Sequence, residues 1–180
     1  MGAGDIERLL TSIEPYSPRR AAHKEVAVFF ARAVPELASR ETRPVHLTAS
    51  TFVLDPATER VLLLWHPKYG RWLQPGGHCD GSPDLAAVAL REVLEETGIA
   101  GIELDPVPFD VDLHPGEPGG DPHMHIDVRF VATAPEGSSG VEPTSPEELQ
   151  LAWVRRDEDD CYIAEALDGA LAHMRNLTRK

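Results

Sequence analysis

Between Gly76 and Ile99 the chain commits to a loop with two adjacent glycines and then to a helix carrying three carboxylates on one face. Ser82 suits a helix N-cap, Pro83 the first helical position, and Asp84 the positive helix start. Gly98 suits a C-terminal stop, so a helix is predicted over 82–97. Leu90, Val93 and Leu94, with Ala86, are predicted as its apolar face. Glu92, Glu95 and Glu96 stand at i, i+3 and i+4, which places them together and roughly opposite that face. Such crowding costs a few tenths of a kcal/mol per like-charged pair in isolated helices. A cation between the carboxylates would remove the cost, and oxygen-only ligands suit a hard ion such as magnesium or manganese. The plain alternative is a solvated acidic helix end.

The flanking segments alternate in type. Residues 1–40 read as a helical extension. Ile6, Leu9, Leu10 and Ile13 recur at helical spacing before Pro15, and a second helix starts at Ser17-Pro18 with Val26, Phe29, Phe30 and Ala33 on one stripe. Strand patterns over 46–55 and 59–66, joined by the turn Asp55-Pro56-Ala57-Thr58, predict a hairpin. Residues 67–82 read as loop. Val107, Phe109, Val111 and Leu113 alternate with Asp110, Asp112 and His114. Met124, Ile126, Val128 and Phe130 alternate with His123, His125, Asp127 and Arg129. A late strand at LQLAWV and a closing helix from Ile163 to about Leu177 complete the order, which suggests an α/β or α+β sandwich.

Composition narrows the function. A chain of 180 residues fits one domain with a terminal extension, and a net charge of −13 argues against a basic nucleic-acid surface. An acidic protein that binds phosphorylated small molecules needs a cation between its carboxylates and the phosphates. Cys79 and Cys161 lie far apart, in no metal-ligand spacing, which argues against a secreted disulfide scaffold. No apolar run approaches the ~20 residues of a membrane helix, and the acidic N-terminus lacks a signal-peptide core. A cytoplasmic location is expected.

The stretch GHCDGSPDLAAVALREVLEETGI, Gly77 to Ile99, resembles the Nudix box: a glycine, five residues, a glutamate, seven residues, then Arg-Glu-aliphatic-X-Glu-Glu-X-Gly-aliphatic. Every fixed position matches except the first glutamate, which falls on Pro83. The resemblance extends over roughly residues 44–177 and leaves 1–40 outside. It implies an α+β fold, an α/β/α sandwich with a mixed sheet, behind the N-terminal helical extension. It implies a metal-dependent hydrolase that cuts a phosphoanhydride bond in a nucleoside diphosphate linked to another moiety. Glu92, Glu95 and Glu96 match the family's metal-binding glutamates, Arg91 the arginine that orients them, and Gly76 a backbone-carbonyl ligand. Magnesium or manganese is the implied cofactor, a small-molecule diphosphate the partner, and a homodimer is plausible from family habit alone. Pro83 can neither bind metal nor accept a proton. Asp80 and Asp84 flank it as partial substitutes, or as a turn residue and a helix-start charge.

Two further groups are candidates for substrate contact. His123, His125, Asp127 and Arg129 share one strand face, either as the wall of a site or as a polar outer sheet face. Trp65, Arg71 and Trp72, with Tyr69 and Lys68 between them, could stack a base and touch phosphate, or the tryptophans could simply pack. Two rival functions use the same residues: a nucleotide-sensing module that does not cut, and a prenyl-diphosphate isomerase. The second would need a proton-donor pair, and Cys79 is the sole cysteine near the box.

Overall fold

The computed structural model describes residues 3–140, 143–156 and 163–177; Cys161 lies outside them. Helix α1 (Ala3–Ser12) buries Ile6 and Leu10, and Ile13 just beyond its end, as their spacing predicts. Helix α2 (Pro18–Ala33) is capped by Ser17, whose side chain accepts from the Arg20 amide. Its buried stripe is Arg20, Ala27 and Ala31, not the predicted Val26, Phe29, Phe30 and Ala33, and Phe29 is 62% exposed. The alanines allow close packing, and Arg20 is drawn inward by buried carboxylates described below.

Strand β1 (Val45–Asp55) forms the predicted hairpin with β2 (Arg60–His66), with Val53 opposite Leu62. The Asp55 side chain accepts from the Ala57 amide at 2.9 Å and so shapes the turn. The segment read as loop contains two short strands, β3 (Arg71–Leu73) on β2 and β4 (Gly76–His78) on β1. Helix α3 (Leu85–Thr97) follows. Asp84, not Ser82, is its N-cap, accepting from the Ala87 amide, so the helix begins later than predicted; Gly98 ends it in the left-handed conformation, φ 63°. Strands β5 (Glu103–Leu104) and β6 (Asp110–Pro115) both pair with β7 (Met124–Thr133). Strand β8 (Leu151–Val154) pairs with β2, and α4 (Ala164–Leu177) closes the described chain.

Among the described strands β1 and β7 run parallel, from Val45 beside Met124 to Leu54 beside Thr133, and the other pairings are antiparallel. The sheet is therefore mixed, and β1 is central to it. Leu47, Ala49, Val111, Ile126, Val128 and Phe130 share one apolar cluster with α1, α2 and α3. Phe52, Leu54, Leu63 and Val131 share another with Leu167, Ala170 and Leu171 of α4. Phe109 joins Phe52 in this second cluster while Val111 joins the first, and Val107 is 52% exposed, so the alternation predicted from Val107 holds only from Asp110 onward. The result is a sheet between helical layers, an α+β sandwich.

The polar residues of β6 and β7 do not form an outer face. Asp110, Asp112, Asp127 and Arg129 are each less than a tenth exposed. Arg129 reaches Asp127 at 3.0 Å, Asp110 at 3.2 Å and Asp112 at 2.8 Å. Arg20 pairs with Asp112 and lies 3.5 Å from Asp110, and the Tyr16 hydroxyl donates to Asp110 at 3.0 Å. Burial alone would raise Asp112, but His114, Arg129 and Arg20 hold it below the ordinary carboxylate range. Arg20→Met should therefore strand part of this charge and lower stability by ~3 kcal/mol, read from the denaturant midpoint. A loss below ~1 kcal/mol, the value of an exposed pair, would mean that Arg129 compensates the aspartates alone.

Candidate active site

The buried side of α3 is Leu85, Val88, Ala89, Val93 and Thr97. Of the predicted apolar face, Val93 is fully buried and Ala86 packs against the core, while Leu90 is half-buried and Leu94 is 44% exposed, so the buried stripe is rotated from the predicted one. Glu92 and Glu96 follow Leu85 by about two and three helical turns. They therefore continue the inward stripe instead of opposing it. Glu95 points outward, with a side chain 49% exposed.

The glycines make room for these carboxylates. A Cβ on Gly77 would lie 2.5 Å from Glu92 Oε2, and one on Gly76 would lie 2.7 Å from the Ala49 carbonyl of β1. The Gly76 amide donates to Glu96 Oε2 at 3.0 Å. Arg91 lies 2.6 Å from Glu92 Oε1 and 2.9 Å from Glu95 Oε2, joining two of the three glutamates. Burial raises the Glu92 carboxyl, and Arg91 offsets part of that. Burial pushes Glu96 up to about 8; the Gly76 amide opposes this, while Glu92, Glu147 and Glu95 add to it. Inward carboxylates held at a penalty beside bare glycine backbone are a donor set that fits a hard divalent cation. Glu92, Glu96 and the Gly76 backbone could hold one directly, with Glu95 at the rim.

The residues flanking Pro83 are engaged elsewhere. Asp80 pairs with Arg40 (Nη2 to Oδ2, 2.9 Å), and Asp84 caps α3. Neither stands in for the missing glutamate.

Glu96 and the glycine pair border a cavity of about 260 Å³. Tyr69 lines it from the loop after β2, Arg71 from the start of β3, and His125, Asp127 and Arg129 from β7. Trp65 and Trp72 do not line it. They oppose each other across β2 and β3, with ring centroids 5.7 Å apart, and Trp72 packs against the α4 cluster. Asp127 is saturated by Arg129, Ser50 (2.7 Å) and Thr48 (3.1 Å), so this part of the wall is rigid. His125 is buried, and burial first, then His114, His46 and His78, lowers it to about 3. His123 sits beside it, just before β7. Thr48, Ser50 and Gln74 were not singled out in the sequence. His46, Thr48 and Ser50 do alternate with Leu47 and Ala49, a period-two signal that could have found them.

The sequence profile of the family described as NUDIX domain matches residues 44–171. A MutT-like protein of Streptomyces ambofaciens is 31% identical over 143 residues, spanning 74% of this chain and 84% of its own. Among solved structures, a C. elegans Ap4A hydrolase in a binary complex superposes with a TM-score of 0.54 at 19% identity, covering 72% of this chain and 98% of that one. The E. coli dihydroneopterin triphosphate pyrophosphohydrolase gives 0.54 at 18% identity, covering 72% and 97%. At such identities these structures speak to the fold alone. The chain belongs to the Nudix family and is a Nudix hydrolase. Among the described residues no helix is long and apolar enough to cross a membrane.

The raised Glu96 carboxyl has a sign that can be read. A carboxyl whose folded pKa exceeds its unfolded value of 4.5 is best accommodated while protonated, and that stability is lost as pH rises through about 8. In chelator-treated protein, Glu96→Gln should match wild type near pH 5 and exceed it near pH 9 by ~1 kcal/mol or more, roughly 2–4 °C in Tm. Equal melting curves at both pH values would show that Glu96 carries no burial penalty.

Proposed function

We propose that the chain hydrolyses a phosphoanhydride bond in a nucleoside diphosphate linked to another moiety, using magnesium or manganese. The observation that carries this is the placement of Glu92 and Glu96 on the core-facing stripe of α3, against a glycine pair at the edge of a cavity. Bare carboxylates there are costly, and a cation makes the arrangement favourable. The ion, when bound, would neutralise the diphosphate, lower the pKa of a water and stabilise the leaving group.

The chain's own residues supply position. Glu92 and Glu96 hold the cation from the helix, and the Gly76 amide fixes the Glu96 carboxylate. Arg91 aligns Glu92 with Glu95 and keeps the latter within reach. Gly76 and Gly77 let substrate phosphate approach backbone. Arg71 and Tyr69 line the cavity, which supports a guanidinium contact to phosphate and a ring contact to the rest of the substrate.

The test is release of nucleoside monophosphate or phosphate from a panel of diphosphate compounds, with magnesium and then manganese. Wild type should turn over at least one compound only when metal is present. Glu92→Gln and Glu96→Gln should each lose at least the roughly 10–100-fold that loss of even an outer-shell partner costs. Ligand-induced thermal stabilisation without turnover across the panel would overturn the hydrolytic reading in favour of a sensing module, with Pro83 as the lesion.

A further inference from the structure

Five histidines gather at one end of the sheet, none of them on α3, and His78, His114 and His125 border the same cavity as Glu96. His46 of β1, His125 of β7 and His114 of β6 are neighbours in strand register. His123 precedes β7 on the same side, its ring 4.9 Å from that of His46 and 5.0 Å from that of His125. His78 of β4 lies 5.2 Å from both His46 and His125. Three members, His46, His123 and His125, bring one ring nitrogen each to within 4.8 Å of one another.

The tautomers of two of them are set by backbone. His46 Nδ1 lies 3.2 Å from the Thr42 carbonyl, and His123 Nδ1 lies 2.6 Å from the Asp121 carbonyl. A carbonyl only accepts, so Nδ1 carries the proton in each ring and Nε2 keeps its lone pair. Arg43 Nη1 stands 3.4 Å from His46 Nδ1 but donates to the Arg40 carbonyl at 2.6 Å. His46 is 1% exposed, and its Nε2 is buried with no hydrogen-bond partner. An unpartnered buried nitrogen is costly and asks for an explanation. His123 Nε2 faces His125 Nε2 at 3.1 Å. Two nitrogens bound to one tetrahedral ion at ~2.0–2.1 Å stand about 3.3 Å apart, so this pair is already at ligand spacing. His46 and His123 are thus backed by carbonyls as metal-bound histidine requires, and an ion between the rings would replace the His123–His125 hydrogen bond. The His123 ring also fills the space beside Gly116, where a Cβ would lie 2.7 Å from its Cδ2.

We propose that His46, His123 and His125 form a second metal site, for a divalent transition ion of the zinc class. Three imidazoles with no carboxylate select zinc, cobalt or nickel over magnesium, which demands oxygen. Three protein ligands leave a fourth position open. His125 lines the cavity shared with Glu96, and His123 lines a separate surface cavity with Pro44 and Gly116, which gives the ion an entry path. The site is independent of the hydrolytic reading, because none of its ligands belongs to the glutamate set.

The test titrates metal-stripped full-length protein with cobalt(II) in excess magnesium, reading the ligand-field absorption, followed by zinc competition. Wild type should bind one cobalt with intense visible bands that zinc abolishes. Glu92→Gln and Glu96→Gln should retain the signal. His123→Ala, a half-exposed position, should weaken cobalt binding by more than roughly 10–100-fold. Zinc-edge anomalous scattering from wild-type crystals should peak between the three rings. Cobalt bands that vanish in the glutamate variants and persist in His123→Ala would overturn the proposal, as would an anomalous peak at the glutamates alone.

Discussion

The arrangement turns on one unfavourable act: α3 directs two carboxylates along the stripe with which it should bury apolar side chains. Glu92 and Glu96 share that stripe with Leu85, Val88 and Ala89. To tolerate them, the facing backbone must be bare and must offer donors. Gly76 and Gly77 meet the first need and the Gly76 amide the second. Those glycines can face α3 because β4 is held to β1 at Ser50 and Ala49, and β1 is held in turn by β7. The central strand, the glycine strand and the helix are thus a single device for holding negative charge at the edge of a cavity.

Beside that device lies a second electrostatic layer with the opposite character. Asp110, Asp112 and Asp127 are matched by Arg129 and Arg20, with further hydrogen bonds from Thr48 and Ser50 to Asp127 and from Tyr16 to Asp110 Oδ2. Burial would lower Arg129, yet the three aspartates keep it firmly charged. Such a cross-linked network holds Asp127 and Arg129 in fixed positions at the cavity wall, although Asp110 Oδ1 and Arg20 Nε within it have no hydrogen-bond partner. Burial disfavours charge on Glu92 and Glu96, whereas arginine partners hold Asp112 in its charged form.

Much of this was legible in the chain. The hairpin at Asp55, the Ser17 cap, the Gly98 stop and the alternation in β7 follow from local rules, and all four recur in the structure. The residues of the box were legible as a pattern, but their orientation was not. Leu90 and Leu94 looked like core, and the carboxylates looked like surface, because hydrophobicity ordinarily decides which way a helix turns. Here the glycine pair decides it, through contacts distant in sequence. The same applies to α2, where Arg20 outcompetes Phe29 for the interior because its partners sit on β6. The two short strands around Gly76 were invisible, since strands of three residues carry no periodicity. The sequence left the tryptophans open between packing and stacking for a related reason: cross-strand pairing settles their neighbours, and only the register of β2 and β3 reveals it.

The family profile begins at residue 44, yet the guanidinium of Arg20 pairs with Asp112, which in turn holds the Arg129 of the cavity wall. A segment outside the matched range thus supplies a buried countercharge to the sheet inside it. Removing α2 would leave Asp112 with one arginine where it now has two, in an interior that water does not reach. The two N-terminal helices are in this sense part of the electrostatics of the sheet, and the edge of a sequence profile is not the edge of a physical unit.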